Sequence, residues 1–122
     1  LQIRNETLIE HEPTKHAIGG YSYGNIKEFS ETKIKLEKED RFYLFSDGYA
    51  DQFGGEKGKK FMLKNFKNLL LTTSILDMQE QKDILSSTFS SWKGEVSQID
   101  DVMVIGIKIQ INHLKFIIIL NM

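Results

Sequence analysis

Phe42-Tyr43-Leu44-Phe45-Ser46-Asp47-Gly48-Tyr49-Ala50-Asp51 is the stretch on which the fold turns. Arg41 to Ser46 is apolar and aromatic enough to be a buried strand, and Asp47-Gly48 breaks it as a turn. A strand end holds a side chain rigidly, so Asp47 belongs at the mouth of a sheet with its oxygens facing solvent or a cation. Asp51 follows four residues on. Downstream the design recurs in reverse order, where Gln98-Ile99-Asp100-Asp101 runs straight into the apolar Val102-Met103-Val104-Ile105. Two apolar strands, each with a carboxylate at one end, are the raw material of an oxygen-ligand metal site. Taken singly, Asp-Gly is also a common hairpin turn, and acids before a strand are often solvated. The combination carries the hypothesis.

Working outward, Leu1 to Arg4 and Thr7 to His11 read as two short strands around an Asn5-Glu6 turn. Pro13, the Gly19-Gly20 pair and Gly24 mark a loop. Thr32 to Leu36 alternates polar and apolar residues as a half-buried strand does, and Glu37 to Asp40 is a charged turn before Arg41. After Gly54-Gly55 the period changes. Met62, Phe66, Leu69 and Leu70 fall at helical spacing, which predicts a helix over Lys59 to Leu71. Met78, Leu85, Phe89 and Trp92 predict a second over Met78 to Trp92, with Asp77 and Glu80 resembling a capping box and Gly94 as its stop. Val102 to Ile111 is a long strand whose Lys108 and Gln110 turn outward. Asn112-His113 is a turn, and Leu114 to Leu120 is a last apolar strand with no evident partner. Strands, two helices, then strands is an α+β order, with both helices packed on one face of a mainly antiparallel sheet.

The 122 residues suffice for one domain with a real core, and 40% hydrophobic with 27% charged residues is an ordinary globular composition. A net charge of -1 gives no electrostatic case for nucleic acid. With no cysteine, disulfides and thiolate zinc sites are excluded. No apolar run reaches the ~18 residues of a membrane span and no signal pattern opens the chain. A cytoplasmic location is expected, with any membrane or sensor domain carried elsewhere in a parent protein. Leu1 in place of Met suggests a segment of a longer chain.

Other motifs fail. Asp47 to Glu56 lacks the acidic third and glycine sixth positions of an EF-hand loop. Gly54 to Lys60 has too short a gap, and no hydroxyl after the lysine, for a phosphate-binding loop. His11, His16 and His113 have no metal-ligand spacing and read as surface histidines. Phe61, Phe66, Phe89 and Trp92 read as core. Lys57 to Lys60 reads as a solvated helix start, with phosphate steering as the minor alternative.

With these residues in view, the chain resembles the C-terminal half of a protein phosphatase 2C (PPM superfamily) domain, and within it the bacterial branch named after the sporulation phosphatase SpoIIE. The likeness rests on Ile18-Gly19-Gly20, on a strand ending in Asp47-Gly48 with Asp51 four residues later, on two helices, and on Asp100-Asp101 opening the last core strand. It spans about Leu1 to Ile109. The resemblance implies an αββα sandwich with a two-metal centre, Mn2+ or Mg2+, that hydrolyses phosphoserine or phosphothreonine. It implies Asp47, Gly48 and Asp100 as metal-ligand positions. Asp51 would hold an outer water or an accessory metal, and Asp101 would orient the backbone behind the ligands. The implied substrate is a phosphoprotein of bacterial signal transduction, such as a STAS-type anti-anti-sigma domain.

Two departures stand out. Ala17 replaces the usual proline before the isoleucine-glycine pair. The family's first half also carries further ligand aspartates, in a Gly-Asp-Phe-like turn and before a Gly-His-Gly loop, and this sequence has neither motif. The expectation is therefore a partial domain, catalytically inactive alone although its parent is an enzyme, with sheet edges and apolar faces that favour a homodimer. The alternative is a non-catalytic regulatory or protein-interaction domain, a pseudophosphatase.

Overall fold

A computed structural model describes residues 1–11, 33–110 and 113–122. Their elements, in order, are β1 (Gln2–Arg4), β2 (Thr7–Ile9), β3 (Arg41–Phe45), α1 (Gly48–Asp51), β4 (Phe53–Gly54), β5 (Lys59–Lys60), α2 (Leu63–Thr73), α3 (Met78–Lys93), β6 (Met103–Gln110) and β7 (His113–Asn121). Five strands form one sheet in the order β2-β1-β3-β6-β7, antiparallel at every step, and β4-β5 is a separate small hairpin. The fold is α+β, as the element order predicts.

Strand alternation decides which face is covered. Tyr43 pairs with Gly106 and Phe45 with Val104, so these positions share a face. On that face lie the helices: the Phe45 ring meets Phe66 of α2 edge-on at 4.9 Å, and the Tyr43 hydroxyl donates to Gln81 of α3 at 2.8 Å. Phe66, Leu70, Leu85, Phe89, Val102 and Val104 close the core beneath them. Leu44 and Met103, one residue out of phase, point the other way and are 62% and 42% exposed. Both helices thus cover one face, and the opposite face is apolar and open among the described residues.

Gln81 is paired at both ends of its amide in this core. Its Nε2 donates to the Leu70 carbonyl and the Thr73 hydroxyl while its Oε1 accepts from Arg41 and Tyr43. Arg41 also donates to the Leu76 carbonyl. The connection between α2 and α3 is therefore fastened to β3, which an apolar stripe alone would not achieve.

The structure corrects several boundaries. Residues 33–36 of the expected Thr32–Leu36 strand form no strand; Arg4 of β1 reaches across to the Lys35 carbonyl there at 2.8 Å, so side chains hold the segment in place of a ladder. The second strand stops at Ile9, short of His11. The first long helix starts at Leu63 because Lys59-Lys60 pair with Phe53-Gly54, and Met62 is its exposed N-cap and no part of its apolar face. The strand without evident partner is β7, which lines β6 and shares two further hydrogen bonds between Val102 and Met122. His113 opens β7, where a turn is expected. Lys108 is only 17% exposed because it reaches Glu39 at 3.0 Å. The loop around Pro13, Gly19-Gly20 and Gly24, with His16, Ala17, Ile18, Thr32 and Asn112, lies outside the described residues.

Candidate metal centre

Antiparallel pairing puts the C-terminal end of β3 beside the N-terminal end of β6, so the two acidic stretches meet at one end of the sheet. Ser46 ties them. Its amide donates to the Met103 carbonyl at 2.9 Å, its hydroxyl donates to the Asp101 carbonyl at 3.1 Å, and that hydroxyl accepts from the Met103 amide at 3.0 Å. Gly48 closes the joint. A Cβ there would lie 2.2 Å from the Asp101 carbonyl oxygen, so only glycine allows the backbones to touch.

Asp47-Gly48, expected as a turn, is the head of a helix. Asp47 is right-handed helical at φ -70° and ψ -14°, and its carbonyl accepts from the Asp51 amide at 2.9 Å. One turn is too short to persist alone, so tertiary packing holds α1. Tyr49 is fully buried among Phe61, Phe66 and Phe89, with ring centroids 5.3, 4.8 and 5.0 Å away, and its hydroxyl donates to the Leu85 carbonyl at 2.6 Å. Burial pushes the Tyr49 phenol well above its ordinary range. Asp47 thus projects from a helix whose next residues are fixed in the core.

The acids differ in their surroundings. Asp47, Asp100 and Asp101 are exposed, and none takes part in an ion pair among the described residues. Asp100 Oδ1 accepts from the Asp101 amide at 2.9 Å, while Gln98 donates to the Asp100 and Met122 carbonyls, both at 2.9 Å. Asp51 pairs with Lys60 at 3.8 Å. Gly48 is buried and offers a carbonyl as its only donor.

Two carboxylates and a backbone carbonyl on a rigid sheet end fit a hard divalent cation in kind. They do not complete a shell: no three His, Cys, Asp or Glu side chains gather as a metal site among the described residues.

A residue to which the sequence assigns no role organises the neighbourhood. Gln52 is fully buried between α1 and β4, and its Nε2 donates to the Phe53 and Ser97 carbonyls at 3.0 and 3.1 Å. Its backbone carbonyl accepts from the Phe61 amide and the Trp92 indole, each at 2.9 Å. Gln52 thereby links α1 to the segment leading into Asp100. A single polar residue between Asp51 and Phe53 gives no periodic signal by which it could be found.

The chain is similar to known proteins. The family described as Stage II sporulation protein E (SpoIIE) matches residues 1–110. Among solved structures, the SiaA-PP2C domain of Pseudomonas aeruginosa superposes with a TM-score of 0.61 at 30% identity, covering 63% of this chain. The match spans 31% of that structure's own length. No curated protein matches the chain. With most of its length matched and the Asp-Gly and Asp-Asp strand ends brought together, the chain belongs to the SpoIIE family, as part of a PP2C-like domain.

Proposed function

We propose that the chain supplies the C-terminal share of a metal-dependent phosphatase centre. The enzyme of which it forms part would hydrolyse phosphoserine or phosphothreonine on a regulatory protein, with a STAS-type domain as the favoured substrate. The observation that carries this reading is the fastening of Ser46 and Gly48, the neighbours of Asp47, to the backbone of Asp101 and Met103 beside Asp100. Asp47, the Gly48 carbonyl and Asp100 would hold Mn2+ or Mg2+. When bound, such cations supply Lewis acidity to the phosphate and the attacking water. The chain's own part is positional: Ser46 and Gly48 set the spacing of the carboxylates, Tyr49 stops α1 from rotating, and Gln52 steadies the approach to Asp100. Asp101 gives its carbonyl to Ser46 and so orients backbone. The exposed sheet edge is where a second copy would pair.

Calorimetry with Mn2+ on the chain and on an Asp47→Asn, Asp100→Asn double variant tests the proposal. The expected result is a Kd weaker than roughly 0.1 mM, as for an incomplete oxygen shell, abolished in the variant, with no phosphate released from a phosphoserine peptide by the chain alone. Identical titrations for both proteins would overturn the ligand assignment and favour a non-catalytic interaction domain.

A further inference from the structure

The β4-β5 hairpin and the head of α2 carry a feature that the metal centre does not use. Between positions 56 and 64 the chain reads Glu-Lys-Gly-Lys-Lys-Phe-Met-Leu-Lys, four cations and one acid in a protein whose net charge is -1. Lys57, Lys59, Lys60 and Lys64 are all exposed. Apolar surface lies among them: Phe53, Met62 and Leu63 are 37%, 56% and 43% exposed. Leu63 and Lys64 also open a groove of ≈ 640 Å³ along α2, whose walls include Leu8 and Leu71.

The backbone beneath the patch is fastened to its neighbours. Gly54 lies directly on Trp92, where a Cβ would fall 1.8 Å from the Trp92 carbonyl oxygen, and the Gly55 amide donates to that carbonyl at 2.9 Å. The returning arm is bonded to α1, since the Met62 amide donates to the Ala50 carbonyl at 2.8 Å. Lys60 reaches Asp51, one helical turn or ~6 Å from Asp47 along α1. Cations on a hairpin fastened to α1, the helix that carries Asp47 at its head, steer and hold an acidic partner, and the interleaved apolar side chains give that partner contact area that charge alone lacks.

We propose that this hairpin and the head of α2 are the docking surface for the substrate protein, and that they select an acidic segment bearing apolar residues beside its phosphorylated serine. The inference rests on the phosphatase reading for its aim, and on the charge and exposure of the patch for its chemistry.

Fluorescence anisotropy on the whole chain tests it, with two labelled phosphoserine decapeptides, one flanked by Asp, Glu and Leu and the other by Lys, Arg and Leu. The acidic peptide is expected to bind at least tenfold more tightly, and more weakly as salt rises. A Lys57→Glu, Lys59→Glu variant should remove that preference, and Leu63→Ala should weaken the acidic peptide several-fold without altering its salt dependence. All three substitutions are on exposed side chains and leave the core intact. Equal binding of the two peptides, or a preference that survives the charge reversal, would overturn the proposal. So would charge-dependent binding to phosphatidylserine vesicles with none to either peptide, which would make the patch a membrane contact. Because no readout involves metal or turnover, a failed manganese titration with intact peptide selectivity would count against the phosphatase reading and leave the docking surface standing.

Discussion

At position 48 the difference between glycine and any other residue is a contact with backbone. A Cβ would meet the Asp101 carbonyl oxygen at 2.2 Å and its carbon at 2.9 Å, and neither can rotate aside as a side-chain tip could. Gly48→Ala should therefore destabilise the chain by about 1–3 kcal/mol, the usual cost of overpacking, seen as a lower denaturation midpoint. Because the strain falls between the two acidic stretches, it should also weaken Mn2+ binding at temperatures where the variant is fully folded. An Asp-Gly pair in sequence shows only that the backbone can turn. That this glycine is a contact, and that Gln52 is a bridge, depends on partners about fifty and forty-five residues away, which no local pattern encodes. The placement of Asp47 and Asp100 near strand ends was legible, because each lies beside an apolar run and strand ends can be read locally.

Among the elements, α3 was the most legible. Its apolar positions share one face, and Asp77, extended at φ -66° and ψ 163°, accepts from the Glu80 amide at 2.8 Å. Asp77→Ala should cost about 1 kcal/mol, as loss of an N-cap does, read from the urea midpoint, with the Mn2+ titration unchanged because α3 opens far from Asp47. Elements maintained by distant contacts were not legible. The single turn of α1 stands because Tyr49 is packed, and β4-β5 forms because Trp92 takes both the Gly54 backbone and the Gln52 carbonyl. The alternation over Thr32–Leu36 predicted a strand, but within the described residues the ladder position beside β3 is taken by β1.

Across the whole molecule, one buried carboxylate joins the ends of the sheet that lie away from the acidic centre. Asp40 is 1% exposed and accepts from Arg4 at 2.9 and 2.7 Å, from Gln2 at 3.3 Å and from the Glu37 amide at 2.9 Å. The Arg4 guanidinium holds the Asp40 carboxyl below its ordinary value of 3.8, against an opposing push from burial. A carboxyl depressed in the folded state stabilises fully above its unfolded value, and that stability is lost as pH falls through the folded value. The melting temperature should thus fall on acidification from about pH 4 downward. Asp40→Asn should melt lower at pH 7 and show a smaller further drop between pH 5 and pH 2.5. An equal drop in both proteins would assign the acid sensitivity elsewhere.

The strand order has a consequence for how the protein comes into being. The outer pairs, β1 with β2 and β6 with β7, join neighbours in sequence, whereas β3 and β6 meet across roughly sixty residues. Chains close short loops sooner than long ones, so the hairpins and helices should be in place before the central pair zips. Asp47 and Asp100 ride on that pair. Their convergence is then among the last events of folding, and a nascent or nicked chain lacking β6 would present Asp47 with no carboxylate opposite it. Competence to hold a cation at this sheet end would in that case report that the chain has been made through β6.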